Sequence, residues 1–149
     1  MDIEKINKKK ASLSIVKYML KQKGEASIIA YGDSMYPAIL NNTMIKIMKQ
    51  EYYAIGDVIA FYYENEGLLV HRILKKNEYV YYCKGDNSYR LEIVYKDNAL
   101  GKIINLPNVN DEFIVMSLKI NLLAHKLHYD LEKLKKDSLY IEYKTKYLT

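Results

Sequence analysis

The sequence predicts a mainly β domain flanked by helices, with an antiparallel sheet or small barrel at its centre. Three observations support this. Between residues 26 and 106, short apolar runs recur at close spacing, separated by turn-forming residues, without the longer pattern of alternating βα units. Before residue 24 and after residue 107, apolar residues instead step by three or four. The chain has 149 residues, 50% of them hydrophobic, enough for one domain with a real core.

The elements follow in order. Residues 2–22 form a helix on Ile3, Ile6, Leu13, Val16 and Leu20, and Gly24 stops it. "ASIIAY" (26–31) is a strand that runs into the turn "GDSMYP" (32–37), where Pro37 prevents a regular continuation. "TMIKIM" (43–48) alternates as a strand does, and "DVIAFYY" (57–63) follows Gly56. "LLVHRIL" (68–74) and "YVYYCK" (79–84) pair as a hairpin around a turn at 75–78, which sets His71 opposite residue 82. "GKIINL" (101–106) is the last strand before Pro107. Beyond it Phe113, Met116, Ile120, Leu123, Leu127, Leu131 and Leu134 make the stripe of a long amphipathic helix. Its polar face carries Lys119, Lys126, Lys133 and Lys135. The chain thus divides into an N-terminal helix (1–24), a core (25–107) and a helical extension (108–149).

Composition bounds the function. The formal net charge is +5, with Lys8, Lys9 and Lys10 near one end and Lys133, Lys135, Lys136, Lys144 and Lys146 near the other. This mild excess serves solubility and favours acidic partners or anionic membrane surfaces. Cys83 is the only cysteine, which excludes an intramolecular disulfide and fits a reducing compartment. The first 24 residues are charged throughout, unlike a signal peptide, and no apolar run approaches the ~18 residues of a membrane helix. A soluble, cytoplasmic protein is expected. One cysteine and three scattered histidines give no zinc spacing, and no phosphate-binding glycine loop is present. Neither a cofactor nor a nucleic-acid partner is expected, since no basic-aromatic stripe appears.

Candidate chemistry centres on Ser34. A serine hydroxyl needs a base within hydrogen-bond reach and donors for the developing oxyanion. The turn after the first strand exposes the side chain and frees the N–H groups of Asp33 and Ser34. Taken alone, this segment also fits a serine that bonds its own backbone. His125 and His128 fall in the C-terminal helix and are expected to be solvated or packed there. His71 lies mid-strand between Leu69 and Ile73 on one apolar face, where an imidazole needs a partner. It is the candidate general base. Asp86, in the turn "KGDN" (84–87), would lie close to it and could orient the ring. Glu92, six residues further, is the second carboxylate candidate.

Together, "GDSMYP" (32–37), "IGDVIAF" (55–61), "VHRIL" (70–74) and "KGDN" (84–87) resemble, in order and spacing, the LexA-like and signal-peptidase-like serine peptidases of the S24/S26 superfamily. The resemblance covers roughly residues 25–106. It implies coiled antiparallel β-sheets around the serine. It also implies a substrate path over Met35 and Pro37 and small substrate side chains at the cleaved bond. Many of these enzymes use a lysine base. His71 followed by "KGDN" is similar to the endoplasmic-reticulum and archaeal type, in which histidine serves. There the assisting carboxylate is an aspartate, and the equivalent position here is Glu92. Membrane signal peptidases carry an anchor that this sequence lacks. It looks closer to short peptidases that trim leaders from ribosomally made precursor peptides.

The expected function is a serine endopeptidase with a Ser34–His71 pair, assisted by Asp86 or Glu92 and acting on a peptide or precursor protein. Two alternatives remain at this point. One is a non-catalytic peptide-binding module of the same fold. The other is a self-cleaving LexA-like regulator, for which the ~25 residues before the first strand are too few to form a DNA-binding domain. The C-terminal helix can cap the sheet, form a homodimer, or lie on a membrane or partner.

Overall fold

A computed structural model describes residues 3–149; the side chains of residues 5, 6, 8 and 9 lie outside the described set. Helix α1 (Ile3–Lys23) is followed by strands β1 (Glu25–Ala30), β2 (Thr43–Met48), β3 (Val58–Tyr63), β4 (Gly67–Lys76) and β5 (Val80–Lys84). Then come β6 (Glu92–Tyr95), a single 3-10 turn (Lys96–Asn98) and β7 (Ala99–Ile103). Helices α2 (Asp111–Lys126), α3 (Leu131–Lys136) and α4 (Ser138–Tyr147) complete the chain. The strands form one seven-stranded, curled antiparallel sheet in the order β1-β2-β7-β3-β4-β5-β6. The mainly β architecture with helices at both ends is therefore as expected.

The core follows strand alternation. α1 lays Val16 and Leu20 onto Ala26, Ile45, Ile47, Val58, Ala60 and Leu68, touching both β1 and β4 and so holding the sheet in its curl. Leu13 packs against the same cluster, whereas Ile3 is exposed; Ile6 lies outside the described side chains. A second cluster on the sheet joins Ile59, Phe61, Leu69, Ile73, Tyr81 and Cys83. Burying these aliphatic and aromatic side chains removes about 1.5–3 kcal/mol of unfavourable hydration each.

Two expectations need correction. The C-terminal stripe is divided among three helices. His128 (φ 53°) and Tyr129 (φ 57°) take left-handed backbone and end the first helical run. Asp130 then caps α3 and Asp137 caps α4. Phe113, Met116, Ile120 and Leu134 are buried as expected, with Leu74 of β4 in the same cluster, but Leu131 is exposed. The β4–β5 register also differs. β4 runs on to Lys76 and β5 begins at Val80, so the turn comes later than expected; with a bulge between Ile73 and Lys75, Arg72 then pairs with Lys84 and His71 lies beside Gly85 rather than Tyr82. The short strand β6 was not foreseen.

Candidate active site

The site is built where three elements meet. β1 ends at Ala30 and the chain turns through Gly32, whose φ of 94° suits glycine, into the loop of Ser34. Asn41 holds this turn by accepting from the Gly32 N–H at 2.8 Å. The Tyr36 N–H bonds the Asp33 carbonyl at 3.1 Å, and Ile39 N–H bonds the Met35 carbonyl at 2.9 Å. Among the described residues, the N–H groups of Asp33, Ser34 and Met35 have no acceptor. They are the free donors that an oxyanion requires.

β4 brings His71 to this loop. Its Nε2 is 3.1 Å from Ser34 Oγ. Its Nδ1 bonds Glu92 Oε1. Register explains the second contact. Ile73 pairs with Cys83, and Cys83 pairs with Glu92, so Glu92 rises on the face that also bears His71 two residues from Ile73. The pair is sealed, with His71 7% and Glu92 0% exposed. Phe61 closes over the ring edge-on at 6.2 Å. Glu92 Oε2 accepts no hydrogen bond among the described residues, and Arg90 Nε stands 3.5 Å from it.

Asp86 does not face His71. Its two oxygens accept from Arg72 Nε and Nη2, both at 2.9 Å, in a buried fork-on-fork pair. Arg72 follows His71 on β4 and points to the opposite face. Of the two carboxylates left open by the sequence, Glu92 therefore stands behind the imidazole.

The "KGDN" segment clasps the serine loop. Asn87 N–H bonds the Ser34 carbonyl at 2.8 Å, and Asn87 Nδ2 bonds the Asp33 carbonyl at 3.1 Å. Gly85 is required by close approach: an added Cβ would lie 2.6 Å from the Ser34 carbonyl oxygen and 3.1 Å from His71 Nε2. Lys84 is buried, and its Nζ donates to the Gly85 carbonyl at 2.9 Å. Burial pulls its amine down to about 8, against the opposing pull of Asp86 and Glu92.

An open cleft of about 420 Å³ runs past Ser34 and His71. Its walls include Ile28 and Ala30 of edge strand β1 and Leu68 and Val70 of β4, with Glu66 and Arg90 at the rim. Met35 lines this cleft; Pro37 is exposed and is not among its lining residues. His125 and His128 are exposed on the C-terminal segment, remote in sequence from the cleft-lining residues. Among the described residues no cluster of histidine, cysteine or carboxylate side chains could hold a metal, and no helix is long and apolar enough to cross a membrane.

A family model described as Peptidase S24-like matches residues 1–104, which include Ser34, His71, Asp86 and Glu92. The chain belongs to this family. The match spans α1 and every strand of the sheet, so the curled sheet and the helix across it are a Peptidase S24-like fold. The three C-terminal helices lie outside the match. No curated protein matches the chain.

Sequence reasoning missed the Arg72–Asp86 pair, although "HR" on a strand already places two adjacent side chains on opposite faces. It also missed Gly85 as a point of close approach, and Arg90.

Proposed function

We propose that the protein is a serine endopeptidase in which Ser34 is the nucleophile and His71 the general base. The observation that carries this reading is the connected line Ser34 Oγ, His71 Nε2, His71 Nδ1, Glu92 Oε1. Ser34 attacks the scissile carbonyl while His71 Nε2 takes the hydroxyl proton. Free N–H groups of the Asp33–Met35 loop receive the oxyanion. The imidazolium then protonates the leaving amine, and a water activated by the same ring releases the acyl group from Ser34. Glu92 keeps the proton on Nδ1, so that Nε2 presents its lone pair, and balances the imidazolium.

The substrate is an extended peptide. β1 is an edge strand with its free side on the cleft, so a peptide can add its backbone there and drop alternate side chains between Ile28, Met35, Leu68 and Val70. The leader of a ribosomally made precursor, cut in the cytoplasm, is the substrate class proposed from the likeness to short peptidases. A pure binding module has no use for a buried carboxylate behind a histidine aimed at a serine, which favours catalysis over that alternative.

An alkyl fluorophosphonate tests the reading, because an activated serine displaces its fluoride and gains a phosphonyl adduct visible by intact-mass spectrometry. One adduct on Ser34 is expected, and none in Ser34→Ala. An unmodified wild-type protein under conditions that label an ordinary serine peptidase would sink the proposal.

A further inference from the structure

The C-terminal helices reach the serine loop through one peptide group. Tyr143 of α4 is fully buried, and its hydroxyl donates to the Asp86 carbonyl at 2.8 Å. Ser117 of α2 lies 3.2 Å from the same hydroxyl. The phenol has one proton and gives it to Asp86, so Ser117 is the donor to Tyr143. Burial holds the phenol well above its usual range and keeps that proton in place. The Asp86 carbonyl and the Asn87 N–H belong to one rigid, planar unit. Tyr143 grips that unit on one side, and the Asn87 N–H grips the Ser34 carbonyl on the other, at 2.8 Å. The Ser34 carbonyl in turn shares its plane with the Met35 N–H, which is one of the free donors.

We propose that Tyr143 is a positioning residue for Ser34. It orients the Asp86–Asn87 peptide, and through it the nucleophile and the Met35 N–H. This rests on the reading of Ser34 as a nucleophile. The line Ser117, Tyr143, Asp86–Asn87, Ser34–Met35 is a continuous run of hydrogen-bonded groups, buried at Ser117, Tyr143 and Asp86, in which each bond polarises the next. It gives the three-helix extension a role in the site as well as in covering the sheet. Other contacts make the docking specific. Asn121 Nδ2 of α2 donates to the Tyr89 carbonyl at 2.9 Å, the Tyr89 and Tyr140 hydroxyls meet at 3.3 Å, and the Arg72 guanidinium lies 5.5 Å from the Phe113 ring centre.

The test compares wild type, Tyr143→Phe and Leu134→Val. Leu134 is buried in the same helical unit and is not among the residues that bond the 86–87 peptide, so its variant reports general loosening. Three readouts apply: the second-order rate of Ser34 modification by an alkyl fluorophosphonate, exchange of the Asn87 amide followed by NMR, and the thermal midpoint. Tyr143→Phe keeps the ring and loses both hydrogen bonds of the hydroxyl, the one to the Asp86 carbonyl among them, so modification should slow about fivefold to tenfold and Asn87 exchange should quicken by a similar factor. Leu134→Val should lower the midpoint and modify at the wild-type rate. Wild-type modification in Tyr143→Phe, or equal slowing in Leu134→Val while folded, overturns the proposal. If wild-type Ser34 takes no probe, the peptidase reading fails on its own. Exchange then decides the positioning, and unchanged Asn87 exchange in Tyr143→Phe overturns it.

Discussion

His71 and Arg72 are neighbours on β4, and each takes a carboxylate. His71 holds Glu92 on the cleft side, and Arg72 holds Asp86 on the other. Both pairs are buried, yet their surroundings differ. The imidazole touches the Ser34 hydroxyl, which borders open space. The guanidinium bonds the Gly56 carbonyl and stacks against Phe113. Strand alternation sends two chemically similar carboxylates to opposite faces of β4, one toward the cleft and one away from it. A buried ion pair adds little net stability, but breaking one partner is costly.

The largest contrast should come from deleting each neighbour. His71→Ala should slow fluorophosphonate modification of Ser34 by about 10³-fold, and because it strands the buried Glu92 its urea midpoint should fall as well. Arg72→Met strands a buried Asp86 away from the serine, so urea unfolding should show a loss of about 3–5 kcal/mol while the folded variant is modified at close to the wild-type rate. Replacing both members, with Arg72→Met and Asp86→Leu together, should recover most of that loss. Modification rates of the folded Arg72 variants near that of His71→Ala would break the comparison.

Gly85 lies between the two pairs: it precedes Asp86, which holds Arg72, and an added Cβ would come 3.1 Å from His71 Nε2. Gly85→Ala would set a Cβ 2.6 Å from the Ser34 carbonyl oxygen, which should displace the serine loop and slow modification by about 10²-fold, a typical result of a displacement of ~1 Å. The smallest effect concerns Lys84, whose amine falls from 10.5 to about 8 through burial. Between those values the unfolded chain binds the proton and the folded chain releases it, so stability from this group rises with pH. Wild type should gain on Lys84→Met in urea midpoint from pH 8 to pH 10. A flat or falling difference would show that the amine keeps its charge in the fold.

Much of this was legible because local chemistry and strand period agree. β2 spans 43–48 as its alternation implies, and Ser34 and His71 stand where the turn and the apolar strand put them. What stayed hidden depends on register and distance. The strand β4 runs on to Lys76, so the turn comes later than the polar run implies and, with the bulge after Ile73, sets His71 beside Gly85 instead of Tyr82; no residue type announces either. β6 is only four residues long, so Glu92 could be named by position but not placed on a face. The leucine spacing runs unbroken through 127, 131 and 134, which hides the turn at His128 and Tyr129; the caps at Asp130 and Asp137 were the available signal. The bond from Tyr143 to Asp86 joins residues 57 apart, beyond any local pattern.

The central claim is that Glu92, and not Asp86, stands behind the imidazole. The direct measurement is the rate of Ser34 modification in Glu92→Gln against Asp86→Asn, each at a temperature where it is folded. Glu92→Gln leaves a neutral partner at Nδ1 and should slow the reaction by about 10²-fold or more, with Asp86→Asn within a few fold of wild type. Equal rates in the two variants, or the larger loss in Asp86→Asn, would contradict the account.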